Sequence, residues 1–300
     1  MEREIRHRAQ IQIIIPSPFS ESVRTSEAKD RYSTLFSNAL SSVADRRIPC
    51  YFISPHLDDA ILSAGGLLSY LSDKTSVNVV TLFTEGSSLP YTHFAKQWLR
   101  RCGYSNDEEF FADRRNEDRN ACDSLGIKST HLGFIDGAWR KRNLKGPLKK
   151  IGNFIPEVGH LYPLVTKTGS LAKEDQELLT TIKHRLTDIV GNNQSLVFCP
   201  LALSRRHIDH QLTRDVCKDV FQDVIFWADF PSSRTYSERH LFIRKVGLES
   251  SVWEGDLSKK REAILHYRSQ LNALFPSGYV SLPKEQFYFN EKSLNNLLSH

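Results

Sequence analysis

Apolar positions along this chain fall into short runs separated by longer stretches in which they recur every three or four residues. Cys50 to Ser54, Val77 to Phe83, Ser129 to Leu132, Leu196 to Cys199 and Val224 to Trp227 are short apolar runs bounded by polar or turn residues, the pattern of buried strands. Between them, Ala60 to Leu71, Asp113 to Leu125, Leu171 to Val190 and Ile208 to Phe221 carry helical spacing, with Gly126 and Gly191 as stops. The tail adds a strand candidate at Leu241 to Val246 and a helix from Lys259 to Leu274. Strands alternating with helices predict an α/β fold, a doubly wound, mostly parallel sheet with helices on both faces. In such sheets functional side chains gather beyond the carboxyl ends of the strands.

Two stretches break the rhythm. Residues 1–47 read as an N-terminal extension, with a strand candidate from Ile11 to Ile15 ending at Pro16, a Ser/Pro-rich turn and a polar, helix-like piece. Residues 136–170 are rich in Lys, Gly and Pro and read as a loop or lid excursion within a single domain spanning 48–300. Gly65-Gly66 interrupts an otherwise apolar helix. Each interior glycine costs about 1 kcal/mol relative to alanine, which predicts close packing against another backbone.

Composition narrows the function classes. The 300 residues, 40% hydrophobic and 25% charged, are enough for one large domain with a sizeable core. The net charge of +5 comes from 40 basic and 35 acidic residues spread along the chain, so no nucleic-acid partner is expected. No apolar run approaches the length of a membrane span. Five cysteines without a C-x-x-C pair exclude a disulfide framework and a thiolate zinc site. They fit a reducing, cytoplasmic setting.

The chemistry concentrates at two strand-to-helix corners. Ser54-Pro55-His56-Leu57-Asp58-Asp59 follows the first main strand, and His56 and Asp59, three apart, can turn an imidazole and a carboxylate onto one metal. Asp58 between them is free to act as a base. Alternatively, aspartates at a helix start simply cap N–H groups. Some 150 residues later, Arg205-Arg206-His207-Ile208-Asp209-His210 opens another helix after a strand, with two histidines on one face of a turn. There one histidine can bind metal while the other meets a reacting oxygen, and Asp209 can orient an imidazole. The two corners together supply His, Asp and His with a fourth position open, the ligand count of a catalytic zinc site.

These motifs resemble those of the PIG-L (LmbE-like) zinc-dependent N-deacetylases, whose signatures read A/S-P-H-P-D-D-E and H-x-D-H. Arg114, Glu117, Ala121, Leu125 and Gly126 match the family's R-x-x-E…A…L-G helix. Leu132-Gly133 with Asp136-Gly137 matches its L-G-x-x-D-G loop, and Lys260, Ala263, His266, Ser269 and Gln270 its late K-x-x-A…H-x-x-S-Q helix. The resemblance runs from about residue 49 to 275 and implies a Rossmann-like fold. It further implies one Zn2+ held by His56, Asp59 and His210, Asp58 as general base, and His207, kept charged by Asp209, as oxyanion stabiliser. Arg114 and Asp136 match substrate-contacting positions. The implied reaction is hydrolysis of an N-acetyl or related N-acyl group from a small amino sugar or glycoconjugate. Leu57 replaces the usual proline, and Ala60 replaces the acid after the two aspartates, removing an expected supporting carboxylate. A non-catalytic binding protein on the same fold and a zinc amidase with a non-sugar substrate are the competing readings.

The remaining histidines have no partner at ligand spacing, although His266 on the late helix can approach the site. The basic run from Arg140 to Lys150 reads as a solvated loop or a cover for the pocket. Trp139 and Trp227 are either sugar-stacking faces or core.

Overall fold

The computed structural model describes residues 12–14, 26–163, 171–202, 207–231, 243 and 245–299. Strands β1 (Gln12–Ile14), β2 (Cys50–Ser54), β3 (Val77–Glu85), β4 (Lys128–Ile135), β5 (Leu196–Pro200), β6 (Val224–Trp227), β7 (Glu249–Trp253), β8 (Tyr279–Ser281) and β9 (Glu285–Phe289) form two sheets. The large sheet has the order β4-β3-β2-β5-β6-β9-β7, and β1 pairs with β8 alone. From β4 to β6 all pairings are parallel, whereas β9 runs antiparallel to both β6 and β7. The chain moves outward from β2 through β3 to β4, then returns to lay β5 on the other side of β2. That reversal creates the crevice in which open α/β sheets bind their ligands.

Strand alternation explains the two cores. Phe52, Val79, Phe198, Ile225 and Trp227 point to one face, where Phe52 stacks on Phe198 at 4.2 Å. Ile53, Val80, Leu82, Val197, Cys199 and Phe226 point to the other. On the first face lie helices α1 (Ser26–Asp45), α2 (Asp59–Ser72) and the end of α4 (Asp107–Ser124), the last preceded in the chain by α3 (His93–Cys102). The second face is covered by α7 (Gln176–Val190) and α8 (Ile208–Val220), which follow the short helices α5 (Gly146–Phe154) and α6 (Pro156–Gly159). Helices α9 (Ser258–Ile264), α10 (Arg268–Leu274) and α11 (Glu291–Leu298) complete the first face.

Several expectations are corrected. Helix α1 is no detached extension: Phe36, Ala39, Leu40 and Val43 are buried in the first core, and Phe36 stacks on Phe287 and Phe289 at 5.4 and 5.5 Å. At 241–246 the described residues Ile243, Lys245 and Val246 are helical, and the strand begins only at Glu249. Ile243 and Val246 are three apart, which serves a helical turn packed on the second core. The single helix expected from Lys259 to Leu274 is two, α9 and α10, parted around His266 and Tyr267. The break lets the Tyr267 hydroxyl donate to Asp118 at 2.9 Å and sets α10 against α3 and α4. The stretch 136–163 is largely structured rather than loop, and 164–170 lie outside the described residues.

The glycine pair in α2 marks a break in the helix. Ala64 leaves helical geometry (φ −135°, ψ 16°), and the freed N–H groups of Gly66 and Leu67 donate to Glu285 at 2.7 and 2.9 Å. What packs there is side chain, not backbone: a Cβ on Gly65 would lie 2.9 Å from Lys260 Cγ, and one on Gly66 2.5 Å from Trp253. Lys260 Nζ lies 2.8 Å from Glu285 Oε1, both side chains being buried. Lys260→Met leaves that carboxylate without its cation, so unfolding free energy should drop by roughly 3–5 kcal/mol, read from the urea midpoint. A loss below about 1 kcal/mol would mean that the two backbone donors suffice for Glu285.

Candidate active site

The first corner is built by backbone constraints. Where β2 ends, the Ser54 hydroxyl donates to the His56 carbonyl at 2.8 Å and accepts from Ala60 N at 3.2 Å, folding residues 54–60 into a tight loop. Phe83 N donates to Pro55 O at 2.9 Å, and Gln270 Nε2 on α10 donates to Leu57 O at 3.1 Å, holding the loop from both sides. Asp58 stands at the start of α2 but its carboxylate makes no capping hydrogen bond. Asp59 turns back instead, accepting from His56 N at 3.0 Å. Capping therefore does not account for the two aspartates.

The second corner opens α8. His207 makes no side-chain cap, while Asp209 and His210 are buried inside the first turn. Arg205 and Arg206 lie outside the described residues. Asp209 Oδ2 accepts from Gly137 N at 2.7 Å and lies 3.1 Å from His56 Nε2, and Oδ1 pairs with Arg140. This corrects one expectation: Asp209 supports His56, not His207. Arg140 is likewise no solvated loop residue; it is buried and bridges Asp209 to Asp175, the latter at 2.8 Å. A Cβ on Gly137 would lie 2.8 Å from Arg140 Nη2 and 3.1 Å from both Asp209 oxygens, so a larger residue here would press on the Arg140–Asp209 pair.

The corners meet at Asp59. Its Oδ2 lies 3.0 Å from His56 Nδ1 and 3.4 Å from His210 Nε2. Ligand atoms around a tetrahedral zinc, at bond lengths of about 2.0–2.1 Å, are about 3.3 Å apart, close to these two separations from Asp59. Each histidine's second nitrogen faces a carboxylate: His56 Nε2 meets Asp209, and His210 Nδ1 meets Asp229 Oδ1 at 2.7 Å. That pairing fixes tautomer and ring orientation in metal-binding histidines. His207 joins the cluster, with its nitrogen within 4.8 Å of those of His56 and His210 and its Nδ1 buried without a partner. A second grouping, His56 with Asp136 and Asp209, lies on the far side of the His56 ring.

Burial and mutual charge sort the titrating groups. Burial, reinforced by Asp59, pushes the Asp58 carboxyl up to about 7, against the pull of Arg114. Burial works to raise Asp59 as well, but His210 and His56 outweigh it and hold this carboxyl well below the usual range. His56 and His210 are raised although burial opposes it, through Asp136 and Asp59 for the first and Asp59 and Asp229 for the second. His207 goes the other way, pushed well below its ordinary value by burial and then by His56 and His210. Burial and the two neighbouring imidazoles thus work against a charged His207, and Asp59 works for it.

A cavity of about 180 Å³ opens over this cluster, lined by His56, Asp58, Asp59, Asp136, His207 and His210 together with Arg114 and apolar residues. Arg114 is buried, 3.8 Å from Asp58, with its guanidinium over Phe110 and Phe111 and its Nε unpartnered. Trp139 borders the cavity, whereas Trp227 is core beside Phe52, and His266 does not line it. Lys260, Ser269 and Gln270 are structural: Lys260 binds Glu285, Ser269 binds Glu117 through N and Oγ at 2.8 and 2.6 Å, and Gln270 holds the first loop. Sequence reasoning missed Asp229, Arg140 and Asp175. The signal for Asp229 was its place two residues beyond β6, a carboxylate at a strand's carboxyl end. The carboxylate absent at Ala60 has counterparts in Asp209 and Asp229.

Comparison with known proteins bears on the family and the fold. The profile of the family described as GlcNAc-PI de-N-acetylase, PIG-L, matches residues 51–221. The 2'-N-acetylparomamine deacetylase of Niallia circulans is 26% identical over 248 residues, covering 75% of this chain and 81% of that protein. A deacetylase of the teicoplanin biosynthesis pathway superposes with a TM-score of 0.61 at 23% identity, over 80% of this chain and 97% of its own. The deacetylase of the A40926 pseudoaglycone gives 0.58 at 22%, over 81% and 97%. At these identities the solved structures establish the shared fold.

Proposed function

This chain belongs to the PIG-L family, and from that premise we propose that it is a zinc-dependent N-deacetylase, hydrolysing the N-acetyl or related N-acyl group of an amino sugar or amino-sugar glycoconjugate. The observation that carries the reading is the convergence of His56 and His210 on one oxygen of Asp59, beside an uncapped Asp58 at the floor of a cavity. Helix α1 packs into the same core as the catalytic domain, and Asp136, Ala138 and Trp139 line part of the site. The five free cysteines support a cytoplasmic setting.

His56, Asp59 and His210 hold the metal. A zinc ion there supplies Lewis-acid activation of water and of the amide carbonyl. Asp58 takes the proton from the attacking water, and the same carboxyl returns it to the nitrogen as the C–N bond breaks, releasing a carboxylate and a free amine. A carboxyl pushed up to about 7 suits both halves of that transfer near neutrality. With burial pushing His207 well below its ordinary value, its imidazole N–H serves the oxygen that gains charge. Arg114 has donors to spare and Asp136 offers an acceptor, so the two bind sugar hydroxyls.

The direct test is acetate release from N-acetylglucosamine-type substrates by zinc-loaded protein, abolished by chelation and restored by metal. Protein that takes up no metal after reconstitution would favour a binding protein on the same fold. Asp229→Asn should lower zinc affinity by about 10–100-fold in a chelator competition. The amide cannot accept from both His210 Nδ1 and Ala202 N, the latter 2.8 Å from Asp229 Oδ2. Unchanged affinity would show that His210 is oriented by something else.

A further inference from the structure

A line of buried polar side chains leads away from His56 on the side opposite Asp59. His56 turns Nδ1 towards Asp59 and Nε2 towards Asp209 Oδ2, the latter at 3.1 Å. Both Asp209 oxygens are used further: Oδ2 accepts from Gly137 N at 2.7 Å, and Oδ1 accepts from Arg140. The other arm of the guanidinium donates to Asp175 Oδ2 at 2.8 Å, and the Tyr162 hydroxyl donates to the same oxygen at 2.8 Å. That hydroxyl in turn accepts from Ala172 N at 2.8 Å. The Arg140 guanidinium lies over the rings of Phe83 and Tyr162, at 5.0 and 5.1 Å. His56, Asp209, Arg140, Asp175 and Tyr162 are all buried.

Such a line is not needed for the core alone. A buried ion pair is weak evidence for stability, since apolar residues of the same volume often serve a core as well. Nor does it meet the substrate: the cavity lining includes His56 but not Arg140, Asp175 or Tyr162. What it does is fix Asp209. A carboxylate that accepts from the outer N–H of a metal-binding imidazole sets the ring's orientation and raises its basicity. Arg140 clamps Asp209 in that pose, and Asp175 and Tyr162 clamp Arg140 through charge-assisted bonds out of water.

We infer that Arg140, Asp175 and Tyr162 are positioning residues for the metal: they hold Asp209 against His56, so that zinc binding and the docking of Tyr162 and Asp175 onto Arg140 strengthen each other. The inference rests on His56 being a zinc ligand, as in the deacetylase reading. The coupling is reciprocal. The factor by which the docked side chains tighten zinc is the factor by which zinc suppresses their undocking.

Hydrogen exchange reads that docking, because the amides of Leu161, Ala172 and Asp175 donate to Arg140 O, the Tyr162 hydroxyl and Ala172 O. Their exchange should be about tenfold slower in zinc-saturated than in zinc-free protein, the lower end of what an outer partner contributes to metal affinity. The slowing is read relative to the amides of Gly66 and Leu67, which donate to Glu285. In Arg140→Gln zinc should bind about tenfold more weakly in a chelator competition, and the zinc-dependent slowing should vanish. Tyr162→Phe removes a single hydroxyl remote from the metal and should move both readouts the same way; it decides the matter if Arg140→Gln does not fold. A purely structural role lowers the melting temperature of the variants but leaves zinc affinity, and the slowing, as in the unsubstituted protein. That result overturns the inference and leaves the deacetylase reading standing. Protein that takes up no zinc overturns both.

Discussion

Asp58→Asn lowers kcat by roughly 10²–10⁴ while zinc content stays at that of the unsubstituted protein. The size follows from the removal of a positioned proton acceptor. An amide of the same shape fills the place but cannot take a proton from water or return one to the amine. Metal should be retained because Asp58 is not among the atoms converging on Asp59 Oδ2. Folding should not suffer either. The Asp58 carboxylate is buried beside Asp59, makes no cap and has Arg114 only at 3.8 Å. Its raised value means that ionised Asp58 disfavours the folded state: stability drawn from this group is lost as pH rises from the ordinary carboxylate range through about 7. Asn carries no charge, so the variant's melting temperature should equal or exceed that of the parent above neutral pH. Near-normal turnover in single-turnover acetate release would remove Asp58 as the base and direct attention to Glu or Asp side chains not yet implicated.

His210→Ala should lose the metal. Four-ligand structural zinc sites bind with about 10–16 kcal/mol, or about 2.5–4 kcal/mol per ligand, so deleting one of three ligands should weaken zinc by roughly 10²–10³-fold. Dialysed variant should then carry little zinc by elemental analysis and release little acetate unless excess zinc is supplied. The substitution also strips Asp229 Oδ1 of its donor, leaving Ala202 N as the partner of the other oxygen. A modest fall in apo-protein stability should accompany the loss of metal. His266→Ala is the matching control: His266 follows α9 outside the cavity lining and should leave zinc content unchanged. Full zinc in His210→Ala would transfer the ligand role to His207, whose nitrogen lies within 4.8 Å of that of His56.

What the sequence determined by itself was local and periodic. The runs at Cys50–Ser54 and Val224–Trp227 became strands with those bounds, and the helices expected from Ala60 and Ile208 start within one residue of those positions. Short buried strands and amphipathic helices announce themselves because each needs only its own spacing of apolar residues. The two candidate corners were legible for the same reason, since His56 to Asp59 and His207 to His210 are each contained in one turn of chain. In the tail, neighbours override spacing. Helical periodicity continues through Leu265 to Tyr267, yet the helix parts there so that Tyr267 can reach Asp118 and Gln270 can hold Leu57.

Which carboxylate supports which imidazole follows from the folded chain alone. Asp209 adjoins His210 in the chain, but its side chain faces His56 and Arg140, and His210 is served instead by Asp229 on the far side of β6. Partners 19 to 153 residues apart leave no periodic trace, because the bonds depend on where parallel strands end relative to one another. The same holds for charge state. Whether His207 is cationic depends on which groups surround a buried ring, and here two imidazoles approach it while Asp209 turns away. Spacing along the chain can nominate ligands and bases; desolvation and distance, which exist only in the folded molecule, assign their protons.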